Sequence, residues 1–174
     1  MKMEVREDFY PGDLLDYYQI SLIGTRDVPL FFSTSFEFSH NTLIVRSRTG
    51  NYKNLNEIEN LDLICALNLI INLVTGMMQC YNYYIFPEMY VVDASAVYLN
   101  HNCTRVKCRF IPQVTKEKVT YKDVLKKIEE RMVQLVEEED VPYLKRAIDL
   151  IGKNHIGTQY ALNQIKLLVK EHAL

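Results

Sequence analysis

No GxGxxG and no GxSxG spacing occurs among the six glycines, Gly12, Gly24, Gly50, Gly76, Gly152 and Gly157. A phosphate-cradling loop and a nucleophile elbow are therefore both missing. The four cysteines, Cys65, Cys80, Cys103 and Cys108, include no CxxC pair, so the common zinc and redox spacings are excluded and free thiols in a reducing compartment are expected. The start, Met1-Lys2-Met3-Glu4, lacks the apolar stretch of a signal peptide. Positive charge is not in excess: 20 Lys and Arg against 22 Asp and Glu leave a formal net charge of -2. Such a balance draws neither phosphate backbones nor anionic lipid, and nucleic acid is not an expected partner. Between Lys53 and Arg105 there is no Lys or Arg at all, which marks the interior of the domain.

Long apolar runs are equally scarce. The one candidate, Leu63 to Met78, spans 16 residues and contains Asn68, Asn72 and Thr75, short of the roughly 20 residues a bilayer helix needs. A buried core helix is expected there and no direct membrane insertion.

What is present is ordinary globular material: 174 residues, 48% hydrophobic and 24% charged, enough for one domain with a real core. Three layers follow one another along residues 1–174. Residues 1–53 read as a β layer, with strands expected at Leu14 to Ile23, Leu30 to Phe38 and Thr42 to Arg48 in a meander, divided by Gly24-Thr25-Arg26-Asp27 and Ser39-His40-Asn41. Residues 54–112 hold a central helix, capped by Asn60 and running to about Cys80, then a hairpin. The hairpin is built from short runs at Met89 to Asp93, Ala96 to Leu99 and Arg105 to Ile111 around the Asn100-His101-Asn102 turn. Residues 113–174 form a helical cluster. A Thr120/Asp123 capping box opens a helix with Val124, Leu125, Ile128, Met132, Leu135 and Val136 on one face, a second helix runs from Pro142 to Gly152, and a third from Thr158 to His172. The fold class is α+β: an amino-terminal antiparallel β layer and a helical carboxyl-terminal part.

The segment Asn82-Tyr83-Tyr84-Ile85-Phe86-Pro87-Glu88-Met89, after the long apolar helix and before Tyr90-Val91-Val92-Asp93, resembles the catalytic loop of protein kinases. Arg105-Val106-Lys107-Cys108-Arg109-Phe110-Ile111 resembles the strand that carries the metal-binding DFG. The resemblance implies a reduced kinase large lobe, but it also implies lost chemistry. Tyr84 stands where the catalytic Asp would accept a proton, Met89 where an Asn would hold magnesium, and Arg109 where the DFG Asp would gather metal. No cofactor and no metal are expected on this basis, and the chain is not expected to be an enzyme.

Residues 14 to 170 also resemble the uncharacterised domain at the amino terminus of many Firmicutes proteins that carry a forkhead-associated domain at the other end. The likeness rests on the apolar helix, Pro87-Glu88-Met89-Tyr90-Val91, the strand end Phe110-Ile111-Pro112, and the helices around Ala147 to Leu150 and Tyr160 to Leu168. The pseudokinase-like cytoplasmic domain of a type VII secretion membrane protein is similar in the same elements. Both resemblances imply a cytoplasmic bacterial protein; neither a forkhead-associated domain nor a transmembrane helix is expected within these 174 residues.

Other clusters have plainer readings. His101, Cys103 and Cys108 flank one turn and offer soft ligands, but their spacing suits a turn histidine beside two strand cysteines better than zinc. Tyr81, Tyr83, Tyr84, Tyr90 and Tyr98 crowd into 18 positions; they either line the core or anchor a partner. Tyr83, Tyr84 and Tyr90 are the first candidates for a contact surface. Glu137-Glu138-Glu139-Asp140 reads as a solvated helix junction rather than an acidic docking patch. None of His40, His101, His155 and His172 stands in a nucleophile context.

The expected role is a non-catalytic protein-interaction or signalling module whose partner is another protein or domain, including a second copy of itself. Two alternatives stay open: a cytoplasmic scaffold domain of a membrane or type VII-like secretion complex, and an enzyme whose site is assembled from scattered residues.

Overall fold

The computed structural model describes residues 5–12, 17–112, 118–153 and 157–173. It is an α+β protein with antiparallel sheets in its amino-terminal part and a helical carboxyl-terminal part. The elements are β1 (Val5–Pro11), α1 (Tyr17–Thr25), β2 (Thr34–Ser39), β3 (Thr42–Arg48), β4 (Lys53–Asn54), α2 (Leu63–Cys80), β5 (Val97–Leu99), β6 (Val106–Cys108), α3 (Tyr121–Leu135), α4 (Val141–Ile151) and α5 (Thr158–His172).

The first sheet is antiparallel in the order β1-β3-β2, and it departs from the expected meander in two ways. The strand β1 was not foreseen, and the strand expected at Leu14 to Ile23 is helical from Tyr17, its first residues lying outside the described ones. The physical reason is which side chains are buried. Leu22 and Ile23 are both covered although they are neighbours, which a strand with one face in solvent does not achieve and a helix packed on the sheet does, so tertiary context overrides β-propensity. The run Leu30 to Phe38 also divides. Leu30 and Phe32 bond to Cys108 on β6, with Cys108 N–H donating to Leu30 O at 2.7 Å and Phe32 N–H to Cys108 O at 3.0 Å, and only Thr34 onward joins the first sheet. A tight turn joins β2 to β3 through His40 and Asn41, both at positive φ (46° and 66°), the conformation whose twist matches a hairpin. Gly12 donates its N–H to Asn41 O at 2.8 Å, and a Cβ at Gly12 would stand 2.8 Å from that same oxygen, so only glycine allows the approach.

The second sheet, β4-β5-β6, is short and antiparallel, and its β5–β6 hairpin turns at Asn100-His101-Asn102 as expected. The run Met89 to Asp93 is not a full strand: Pro87–Met89 is a single 3-10 turn, and Tyr90 makes only one bridge, to Pro112. Asn54 is buried and ties the second sheet together. Its Oδ1 accepts from Asn56 N–H at 3.0 Å, and its Nδ2 donates to Ser95 O and Val97 O at 2.8 and 3.1 Å.

The central helix is capped by Asp62, not Asn60: the Asp62 carboxylate accepts from Cys65 N–H at 2.6 Å. With the turn that follows, its helical span covers 21 residues, Leu63–Tyr83, long and apolar enough to cross a bilayer. The length argument against a membrane span therefore fails. What makes α2 a core helix is its cover, since Leu67, Leu69, Ile70, Leu73, Val74 and Met77 are all fully buried, packed against α3, α4, α5 and β6.

The helical cluster follows its sequence pattern. Thr120 and Asp123 form the reciprocal capping box, and the six apolar residues assigned to the α3 face are all buried. The acidic run forms a 3-10 turn over Glu138–Asp140 at the start of α4. Gly152 ends α4 in right-handed geometry (φ -88°). Arg131 of α3 reaches back to the polar linker and donates to Leu55 O, Asn56 O and Ile58 O at 3.3, 3.2 and 2.6 Å, fastening the linker to the helices.

Candidate functional site

The segment after α2 is a compact double turn. Tyr81–Tyr83 continue the helix as one 3-10 turn, and Tyr84 then takes a left-handed conformation (φ 56°, ψ 31°), uncommon for a bulky side chain and a source of modest strain. Ile85 donates its N–H back to Cys80 O at 3.1 Å and plugs the core. The net effect is that Tyr84 is thrown outward, 66% exposed, with Tyr81 beside it at 46%. The Tyr81 ring is not loose: it meets Phe86 edge-on at 5.2 Å and Tyr121 at 6.4 Å.

The three candidate contact residues have different fates. Tyr84 is at the surface, Tyr83 is half-buried beside a cleft, and Tyr90 is 1% exposed. The assignment of Tyr90 to a contact surface is therefore corrected. Its ring packs edge-on against Phe31 at 5.0 Å, and Phe31 in turn meets Phe110 at 5.2 Å. The Tyr90 hydroxyl is buried with no hydrogen-bond partner, and burial first, then Cys80 and Cys108, push its pKa far above the ordinary phenol value. Tyr98 is buried too.

The two remaining positions singled out in the kinase comparison are occupied by side chains already engaged with the protein. The Met89 sulfur accepts the Phe86 N–H at 3.3 Å, closing the 3-10 turn. Arg109 donates from Nη1 to Asp8 of β1 at 2.5 Å and from Nη2 to Ser95 O at 3.4 Å, while its Nε is buried without a partner. Asp93, at the end of the following run, accepts from Ser95 N–H, Ser95 Oγ and Ala96 N–H at 2.8, 2.6 and 3.1 Å, so its carboxylate Oδ1 serves to shape the turn into β5. Around the Arg109–Asp8 pair, Tyr10 has its pKa pushed up to about 12 by burial and by Asp8, against an opposing effect of Arg109.

Two clefts border these elements. One of about 570 Å³ lies along the thin polar stripe of α2 and is lined by Asp27, Asn72, Thr75, Gln79, Arg105 and Lys107. Asn72 and Thr75 were legible in the sequence as polar interruptions of the apolar helix; their opening onto a cleft was not. Arg105, just before β6, and Lys107 within it both line this cleft, with the intervening Val106 buried, and this period of two was the signal that the two cations share a face. The second cleft, about 220 Å³, is bordered by Lys53, Asn60, His101 and Cys103.

His101, Cys103 and Cys108, read from the sequence as a turn histidine beside two strand cysteines rather than as zinc ligands, lie in different environments. Cys108 is fully buried, with its pKa raised by that burial, while His101 and Cys103 sit on the turn. Among the described residues no group of three His, Cys, Asp or Glu could hold a metal ion. Cys80 is likewise fully buried, pushed up to about 12 by burial against weaker effects of Leu30 and Lys107. His155 lies outside the described residues.

No protein-family model matches the chain, and no curated protein matches it.

Proposed function

We propose that the chain is a non-catalytic protein-interaction module whose contact surface centres on the loop after α2. The observation that supports this reading is the set of side chains where phosphoryl transfer needs a proton acceptor and metal ligands. They are a solvent-facing phenol at Tyr84, a thioether at Met89 closed on Phe86 N–H, and a guanidinium at Arg109 held by Asp8. None of the three can gather a divalent cation, and a phenol is a poor base near neutral pH. Tyr81 and Tyr84 instead present amphipathic rings at low entropic cost, the kind of group that anchors an interface with another protein or a second copy of the chain. The cytoplasmic, bacterial signalling setting implied by the resemblance to forkhead-associated proteins, or the scaffold setting implied by the secretion protein, is part of the same proposal.

Thermal unfolding of the full chain with and without ATP and magnesium tests it. The expected result is an unchanged Tm. A nucleotide at 100 times its Kd adds roughly 2.7 kcal/mol, a rise of about 5–10 °C at this chain length, and a rise of that size overturns the reading. Where the partner is a second copy, sedimentation equilibrium shows a dimer that Tyr84→Ser dissociates.

A second reading, a small-ligand site, is favoured by the cleft of about 570 Å³, whose Arg105, Lys107 and amide groups suit an anionic ligand. Its mark is a nucleotide-dependent rise in Tm that Arg105→Ala removes.

A further inference from the structure

One edge of the second sheet is only half covered. Along β6, Arg105 O accepts from Asn100 N–H at 3.2 Å and Arg109 N–H donates to Ala96 O at 2.9 Å, so the odd-numbered residues turn their backbone groups toward β5. The even-numbered ones face the other way. Cys108 is covered there, its N–H bonded to Leu30 O and its C=O to Phe32 N–H. The same alternation points the Val106 N–H and C=O outward, but the segment that covers Cys108 diverges before it reaches them. Asp27 and Pro29 stand instead on the wall of the cleft of about 570 Å³ that Val106 also lines, and Pro29 has no N–H with which to continue the pairing. Among the described residues, neither Val106 group makes a hydrogen bond off that edge. The other wall is α2. Asn72, Thr75, Gln79 and Tyr83 recur on one stripe, and from Asn72 to Tyr83 the helical span runs about 16 Å, the length of about five residues of extended chain. The two cations of the cleft are available. Among the described residues neither Arg105 nor Lys107 has an ion-pair partner; Lys107 donates one N–H to Phe31 O at 3.0 Å and keeps two. Asp27, the one carboxylate among the described residues lining the cleft, pairs with neither.

We propose that an extended acidic segment of a partner protein adds to this edge as a strand, pairing its backbone with Val106 and setting carboxylates two residues apart against Arg105 and Lys107. The proposal rests on the reading of the chain as an interaction module and names the chemistry of its partner. An open sheet edge takes an added strand through main-chain hydrogen bonds, and the side chains along it supply the selectivity. Here the selectivity is for negative charge, because both free cations lie on the wall that carries the open edge. Strand alternation fixes the pattern: acids face the cations, and the residue between them points to the α2 stripe, where Thr75 and Gln79 suit a small polar side chain. An amphipathic helix does not fit the same groove, since the stripe that would have to receive its apolar face is polar. Tyr83 closes one end of the cleft, which joins the groove to the loop after α2.

The test is fluorescence anisotropy of the full chain with a dye-labelled, end-blocked hexapeptide of alternating glutamate and serine. Saturable binding is expected, weakened at least about tenfold when glutamine replaces glutamate or when the chain carries Arg105→Ala. Of two peptides N-methylated on alternate residues, one binds at least about tenfold more weakly than the other, because strand addition uses only one set of amides. Asp27→Asn tightens binding by about two- to threefold, and Lys145→Ala, in a separate cleft, leaves it unchanged. The proposal is overturned if no peptide binds saturably, if the glutamine peptide binds equally well, if the two methylated peptides bind alike, or if Arg105→Ala dissolves a dimer in sedimentation equilibrium, which would make a second copy the occupant. Should Arg105→Ala fail to fold, the glutamine and methylated peptides against the unsubstituted chain decide alone. An ATP-dependent rise in Tm with peptide binding intact defeats the non-catalytic reading and leaves the edge site standing, whereas absent peptide binding with an unchanged Tm defeats only the edge site.

Discussion

Replacing Asp8 with Asn keeps the shape of the side chain and removes the charge that faces Arg109. The guanidinium would then face a neutral amide in place of the carboxylate, besides Ser95 O at 3.4 Å, with its Nε already lacking a partner. A hydrogen bond to a charged group contributes about 1.5–3 kcal/mol, and stripping one partner from a fully buried pair costs about 3–5 kcal/mol. The Arg109 side chain is 12% exposed and Asp8 is 25% exposed, so water softens the loss and the expected cost is about 2 kcal/mol, or roughly 4–8 °C in Tm. Arg109→Met keeps the packing of the stem while removing the charge and the orphaned Nε together, and is expected to cost about 1 kcal/mol or less. The double variant should then resemble Arg109→Met alone, giving a coupling of at least about 1 kcal/mol. Urea unfolding at 25 °C of all four proteins, with m constant, measures the cycle. If Asp8→Asn costs under about 0.5 kcal/mol and the two changes add within the same margin, the pair is a screened surface contact. The reading of Arg109 and Asp8 as an energetically coupled pair then fails.

Three further outcomes follow from other parts of the fold. Tyr90→Phe removes a buried hydroxyl that has no partner, so urea unfolding should find it neutral or more stable by up to about 1 kcal/mol; a clear loss would mean the hydroxyl is satisfied. Gly76→Ala places a Cβ 2.9 Å from Leu30 Cδ1, and because Leu30 is itself buried the overpacking of about 1–3 kcal/mol outweighs the gain in helix propensity of about 1 kcal/mol, lowering Tm. The Asp123 carboxyl is held below its ordinary pKa by the Thr120 side chain and then the Thr120 backbone. Its contribution is therefore present above the unfolded value near 3.8 and lost as pH falls through the lower folded value. Asp123→Asn should reduce stability near neutral pH and flatten that part of the acid limb in a pH series of melting curves.

Where short-range rules decide the structure, the sequence was legible. The capping box at Thr120, the α3 face, the ends of α4 and α5, and the β5–β6 turn all depend on residues within a few positions of each other, so periodicity and cap chemistry suffice. The failures lie where distant chain decides. Tyr17–Thr25 has strand-like composition, yet its burial against the first sheet selects a helix. The strand β1 pairs with β3 some forty residues away, and only the folded register brings Asp8 to Arg109. The candidate loop was partly legible. Its position after α2 and the exposure of Tyr84 follow from local turn geometry, whereas the burial of Tyr90 comes from Phe31, contributed by a segment that crosses between the two sheets.

The cover over α2 has a consequence for the newborn chain. Synthesis delivers Leu63–Tyr83 well before α3, α4 and α5 exist, so for a time an unsheathed greasy rod of bilayer-spanning length is present. Any cut or premature stop ahead of Tyr121 makes that interval permanent. The orphaned piece then seeks lipid, a chaperone or its own kind, and the last third of the polypeptide thus acts as a built-in escort for the middle third.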